Sequence, residues 1–217
     1  MNSIQVEPRS KGRDKLREIP DHRSGAEQSW TEQSERYLIF ARQLNGKMQS
    51  ETVDEAEALK GTDTPRIYWE ISGFLKESGS PVWKKRLLQN SSSLPPSFLF
   101  IHESEKLFIG CEERLFVVEV SSGKVIFEAE LFAPFFRFYP IRERVFNLGV
   151  IIALCELELY AFDIFGNLKW EANFPDVLNS LRHKETILEL TDLSGTVYSL
   201  DILSGQFLIK AEAPGLQ

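Results

Sequence analysis

Three carboxylates recur in step along the chain. Glu119, Asp163 and Asp201 close the segments Phe116-Val-Val-Glu119, Tyr160-Ala-Phe-Asp163 and Tyr198-Ser-Leu-Asp201. Acids at matching places in neighbouring repeats can converge, and converging carboxylates hold a divalent cation or divide acid and base roles between them. Their setting favours a plainer use. Each stands just ahead of a glycine-bearing turn, at the end of a run rich in aromatic and apolar residues. There a carboxylate accepts backbone N–H bonds and fixes the turn. The expected role of all three is structural, with no catalytic, cofactor-binding or metal-binding residue assigned.

Other chemistry is sparse. His22, His102 and His183 are scattered and form no His-x-x-x-His pair, which disfavours a zinc site. Neither a Gly-x-x-x-x-Gly-Lys phosphate loop nor a Gly-x-Ser-x-Gly elbow occurs. The stretch Asn90-Ser-Ser-Ser-Leu-Pro-Pro96 has the composition of a connecting loop. Cys111 and Cys155 each lie five residues before Phe116 and Tyr160, so they are equivalent repeat positions. That equivalence predicts small, buried, reduced side chains rather than a disulfide.

A second set of acids, Glu112 and Glu113, Glu156 and Glu158, and Asp192, falls in the turns between successive strand-like runs. Gathered on one rim, they would suit a basic protein surface. The net charge of −7 argues against nucleic acid, which needs basic residues on the docking face.

The elements that must position these residues are repeats. Gly79, Gly123, Gly166 and Gly205 step by 44, 43 and 39 residues, and four places after each comes a large apolar side chain: Trp83, Phe127, Trp170 and Ile209. A period near 40 suits one small antiparallel sheet per repeat. Within the second unit, residues 105–112, 114–120 and 124–131 read as short β-branched or aromatic strands separated by turn residues. Residues 150–155, 157–164 and 167–174, then 185–191, 195–202 and 206–211, repeat the pattern. Runs such as Gly149-Val-Ile-Ile-Ala-Leu-Cys155 lack polar alternation, which predicts strands covered on both faces.

The segment Val117-Val-Glu-Val-Ser-Ser-Gly-Lys-Val-Ile-Phe127 resembles the tryptophan-docking repeat of pyrroloquinoline-quinone-type β-propellers, and 199–209 keeps its spacing. Ala161-Phe-Asp-Ile-Phe-Gly-Asn-Leu-Lys-Trp170 is one residue shorter. The resemblance spans residues 66–213 and implies stacked four-stranded blades with the docking ring between neighbours. Only Trp83 and Trp170 retain that ring, and Ser122, Phe165 and Ser204 replace the threonine before glycine. The expected fold is therefore all-β: a partial or small propeller-like array of three to four antiparallel blades, preceded by a short α-helical segment. Three ring arrangements stay open: a partial propeller with covered ends, two chains completing a ring, or a tight four-bladed closure.

Residues 1–25 have too little apolar content to pack and are expected to form a disordered tail. Residues 26–65 read as a helical segment and connector, and 66–217 as the repeat domain. The helix expectation rests on the capping-box pattern Ser29-Trp-Thr-Glu32, on Trp30, Tyr37, Leu38, Ala41 and Leu44 sharing a helical face, and on Asn45-Gly46 as a stop. A second short helix is expected between Thr52 and Gly61. The N-terminus lacks an apolar signal core, and Tyr37–Ala41 is far shorter than the roughly 20 residues of a spanning helix. The expectation is a cytoplasmic, non-catalytic interaction or scaffold module without cofactor, whose partner is another protein or a second copy of itself. The alternative is a fragment of a quinone-dependent dehydrogenase or other propeller enzyme. The dehydrogenase reading needs more blades, export to an oxidising compartment and cofactor contacts that the sequence lacks.

Overall fold

The computed structural model describes residues 28–44, 58–59, 67–89, 94–142 and 149–211. The expected tail and most of the expected second helix lie outside them. The described residues are all β, and no helix among them is long and apolar enough to cross a membrane.

Four sheets follow one another along the chain. The first contains β1 (Ser29–Gln33), β2 (Tyr37–Leu44), β3 (Ala58–Leu59), β4 (Ile67–Leu75) and β5 (Pro81–Gln89), in spatial order β1-β2-β4-β5-β3. The second is β6 (Ser97–Ile101), β7 (Lys106–Cys111), β8 (Arg114–Glu119) and β9 (Val125–Glu130). The third is β10 (Phe135–Ile141), β11 (Val150–Cys155), β12 (Glu158–Asp163) and β13 (Leu168–Asn173). The fourth is β14 (Leu178–Lys184), β15 (Ile187–Asp192), β16 (Val197–Asp201) and β17 (Phe207–Ala211). The last three are antiparallel meanders, and the array is propeller-like.

Burial on both faces explains the missing polar alternation. Every residue of β11 is buried: Ile151, Ala153 and Cys155 join a core shared with the second sheet, while Val150, Ile152 and Leu154 join one shared with the fourth. A further core unites Ile39, Trp69 and Leu87 of the first sheet with Leu107, Ile109 and Phe116 of the second. Each such side chain contributes about 1.5–3 kcal/mol by leaving water. Beside these cores, β10 runs along β6 and β7, and the Ser104 hydroxyl donates to the Ile164 carbonyl, tying the second sheet to the third.

The segment preceding the repeats corrects the helix expected there. Residues 29–44 form a β-hairpin, reversed at Ser34, whose Oγ accepts the N–H groups of Arg36 and Tyr37 at 3.2 and 2.9 Å. β2 then pairs with β4, from Tyr37 opposite Leu75 to Leu44 opposite Tyr68. Tyr37, Ile39 and Ala41 point into the core with the second sheet, and Trp30 stacks on Phe98 of that sheet with ring centroids 5.1 Å apart. Tyr37-Leu-Ile-Phe-Ala41 is apolar at every position, so neither a period of 3.6 nor a period of 2 could be read from it; pairing with β4 decides for the strand. Asn45 and Gly46 lie outside the described residues.

Candidate interaction surface

The repeated glycine turns act as seats. In three of the four sheets, the chain from an acidic residue turns through a glycine in the left-handed region, Gly123 at φ 70°, Gly166 at 86° and Gly205 at 70°. A strand bulge follows in register in each, at Val117/Val118, Ala161/Phe162 and Ser199/Leu200. A bulge re-aims the strand that carries the docking residue. Trp83 of the first sheet lies over Gly123 of the second and donates Nε1–H to the Val120 carbonyl at 2.5 Å. Trp170 of the third sheet repeats this on the fourth, over Gly205 and onto the Ile202 carbonyl at 2.8 Å.

The middle junction is filled differently. A Cβ on Gly166 would lie 2.7 Å from Val117 and 3.1 Å from Ile126, while Phe127 turns its ring edge-on to Phe162 at 4.9 Å. Phe127 therefore occupies the docking position in sequence but makes an aromatic pair, and aliphatic side chains fill the seat. Two positions have no such match. Ile209 is 62% exposed, and a Cβ on Gly79 (φ 66°) would meet nothing within 4 Å.

The repeat acids each serve their own turn. Asp163 accepts the N–H groups of Phe165 and Asn167 at 2.9 and 3.0 Å and the Asn167 side-chain amide at 2.9 Å. Asp201 accepts Leu203 N–H at 3.1 Å and both the N–H and hydroxyl of Ser204 at 2.8 Å. Glu119 takes the Ser122 hydroxyl at 2.8 Å and Lys106 Nζ at 3.0 Å, and these two partners lower its pKa. Among the described residues no group of three or more His, Cys, Asp or Glu side chains is placed to hold a metal ion.

The second set of acids divides by burial. Glu158 and Asp192 are each only 2% exposed. Glu158 accepts Phe132 N–H at 3.0 Å and the Tyr160 hydroxyl at 3.3 Å. Asp192 stands where Cys111 and Cys155 stand in the second and third sheets. It accepts Thr196 N–H at 2.8 Å, the Ser194 hydroxyl at 2.7 Å and the Tyr198 hydroxyl at 2.9 Å. Burial opposes ionisation of Asp192, but those hydrogen bonds outweigh it and hold the carboxyl below its usual range. Glu112 and Glu156 are half-buried and Glu113 is exposed.

Backbone hydrogen bonds join these turns into one rim. Leu131 N–H donates to the Glu113 carbonyl and Phe135 N–H to the Glu112 carbonyl, laying the connection 131–135 against the β7–β8 turn. Glu156 N–H donates to Pro134, Leu178 N–H to Glu156 and Leu193 N–H to Val177, continuing the rim through the third and fourth sheets. Two large apolar side chains stand out of it: Phe132, 85% exposed, and Leu193, 64% exposed. Acid spacing alone does not reveal them. The available signal was Leu131-Phe-Ala-Pro134 itself, a bulky aromatic in a short connection that a propeller places on its rim.

No protein-family model matches the chain, and no curated protein matches it. Among solved structures it is similar to BamB from Moraxella catarrhalis at 14% identity and TM-score 0.39, covering 66% of this chain and 42% of that one. The computationally designed Ika8 protein aligns at 11% identity and TM-score 0.42, over 83% of this chain and 60% of that one. BBS1N, solved in complex with ARL6DN, aligns at 10% identity and TM-score 0.40, over 68% and 50%. This chain thus spans between 42% and 60% of these neighbours' lengths. Its propeller-like character stands on its own sheet order and docking geometry.

Proposed function

We propose that the chain is a non-catalytic protein-interaction module that engages its partner through the rim bearing Phe132 and Leu193. The carrying observation is Phe132. An aromatic ring left this exposed loses the favourable free energy of leaving water, of order 2–3 kcal/mol, which burial against a partner would recover. Its backbone is held in place: its N–H is bonded to the buried Glu158 carboxylate, itself bonded to Tyr160. A fixed aromatic anchor binds with little ordering cost, and such residues dominate interface energetics. Glu113, Glu156 and Asp176 lie along the same rim, so the partner surface that fits carries an apolar pocket flanked by basic side chains.

The test begins with capture of a partner on immobilised protein and titration of the purified pair. Phe132→Ser should weaken binding at least about tenfold, more than 1 kcal/mol, while leaving thermal unfolding unchanged, since the ring makes no core contact. A partner that binds Phe132→Ser as tightly as the unaltered protein overturns the assignment.

A further inference from the structure

The docking rhythm runs one step short at each side of the array. In the pairs Trp83/Gly123 and Trp170/Gly205, the residue four places after the turn glycine of one sheet sits on the turn glycine of the next. Ile209 is that residue in the fourth sheet and is exposed; Gly79 is that glycine in the first sheet and carries nothing. Among the described residues, the buried cores join first to second, second to third and third to fourth sheets, and none joins fourth to first.

The two outward faces differ in chemistry. Register puts Ile187, Glu189, Val197, Ser199 and Ile209 on the outward face of the fourth sheet, with Asp201 opposite Ile187. The corresponding places in the third sheet are buried and apolar: Ile152, Leu159, Ala161 and Trp170. Ile187, Val197 and Ile209 are left partly in water around Glu189. On the first sheet the outward face carries Phe40, Arg42, Glu70, Ser72, Lys84 and Arg86. Arg42 and Lys84 both bond Glu70, at 2.9 and 2.6 Å, and leave a net basic face on β2 and β5 beside the partly exposed Phe40. The outward face of the fourth sheet also carries the basic Arg182 and Lys184 on β14, opposite Glu189 and Ile187, while the corresponding strand β1 presents the neutral Ser29, Thr31 and Gln33. The outward face of the fourth sheet is thus apolar with two acids balanced by two bases, and that of the first sheet is partly apolar with a net basic charge.

We propose that the outward face of the fourth sheet docks on the outward face of the first sheet of a second copy, with Ile209 seated on Gly79. Two copies so joined, head to tail at both junctions, complete one ring of eight sheets. A head-to-tail contact gives rings where its rotation closes, and rings of about four to eight blades are those that propellers form, so a pair is the assembly that fits. This surface is separate from the Phe132 rim.

Light scattering on the full chain should give twice its mass of 24.9 kDa, falling to the single-chain mass in Ile209→Asp. Ile209 is exposed, so the variant should keep its circular dichroism spectrum. A single-chain mass for the unaltered protein at every concentration, a mass beyond the pair, or a pair that survives Ile209→Asp overturns the proposal. Orientation is read separately by mixing Ser78→Cys and Ile209→Cys chains under oxidation: an interchain disulfide should form in the mixture and in neither variant alone. Absence of the mixed product, or a Ser78→Cys homodimer, overturns head-to-tail docking. Phe132→Ser should leave the mass unchanged, and Ile209→Asp should leave rim binding unchanged, so failure of one proposal is distinct from failure of the other.

Discussion

Trp170 and Gly205 lie on different sheets, and the indole occupies the space a side chain at Gly205 would need, 2.6 Å from the site of a Cβ. The same contact recurs between Trp83 and Gly123 at 2.5 Å. One residue type serves two needs there: glycine admits the left-handed turn, and its missing side chain admits the ring.

Gly205→Ala should therefore be costly. It combines the left-handed penalty for an alanine with overpacking against Trp170, together about 3 kcal/mol. Gly79→Ala carries the first cost without the clash, so in dilute, dissociated protein it should lose about 1–2 kcal/mol. Urea unfolding of both variants checks the difference; equal losses would remove the docked ring as the cause.

Asp192 replaces, in the fourth sheet, the cysteine of the second and third. Asp192→Ala would strand the buried Tyr198 hydroxyl and the buried Thr196 N–H, and should cost about 3 kcal/mol in urea unfolding. Asp201→Ala acts on an exposed turn and should cost about 1 kcal/mol.

Glu70 gives a pH dependence with a definite sign. Burial raises its pKa, but hydrogen bonds and charge from Lys84 and then Arg42 outweigh that and leave it below the ordinary 4.5. A carboxyl lowered on folding contributes stability above its unfolded pKa, and that contribution disappears as pH falls through the folded value. The melting temperature should thus fall as pH drops below 4.5, and Glu70→Gln should be less stable at pH 7 and show a shallower acid decline. Thermal melts across that range decide it; parallel curves would contradict it.

Cys111 and Cys155 are both free and buried, and burial followed by a neighbouring glutamate pushes their thiols upward, Cys111 to about 12. A thiolate-seeking aromatic disulfide at pH 8 should leave both unlabelled in the folded protein and label both in denaturant, read by absorbance. Prompt labelling without denaturant would show these sheets opening far more readily than their packing implies.

Much of the architecture was legible because it is written locally. Glycines that need a left-handed turn, acids that bond the next few N–H groups, and doubly apolar strands are properties of short segments; β7–β9, β11–β13, β16 and β17 fall within the runs expected, and β15 extends one residue beyond its run, to Asp192. The hairpin at 29–44 was not legible, because its middle is apolar on both sides and a capping-box pattern at Ser29 competed with strand pairing to a partner some thirty residues away. Nor could spacing distinguish Glu113, which stays exposed on the rim, from Glu158 and Asp192, which turn inward: the difference lies in which hydroxyls and N–H groups the neighbouring strands bring within reach.

By itself the sequence determined the repeat, its turn chemistry and the strands of the three best-formed units, since these depend on backbone preferences and contacts a few residues apart. Only the tertiary structure decided that the first sheet draws in residues 29–44, that Phe127 pairs with Phe162 while Trp83 and Trp170 dock, and that Phe132, Ile209 and the Gly79 seat remain uncovered. Those outcomes depend on which faces meet across sheets, and a side chain's burial is set by neighbours that sequence distance does not reveal.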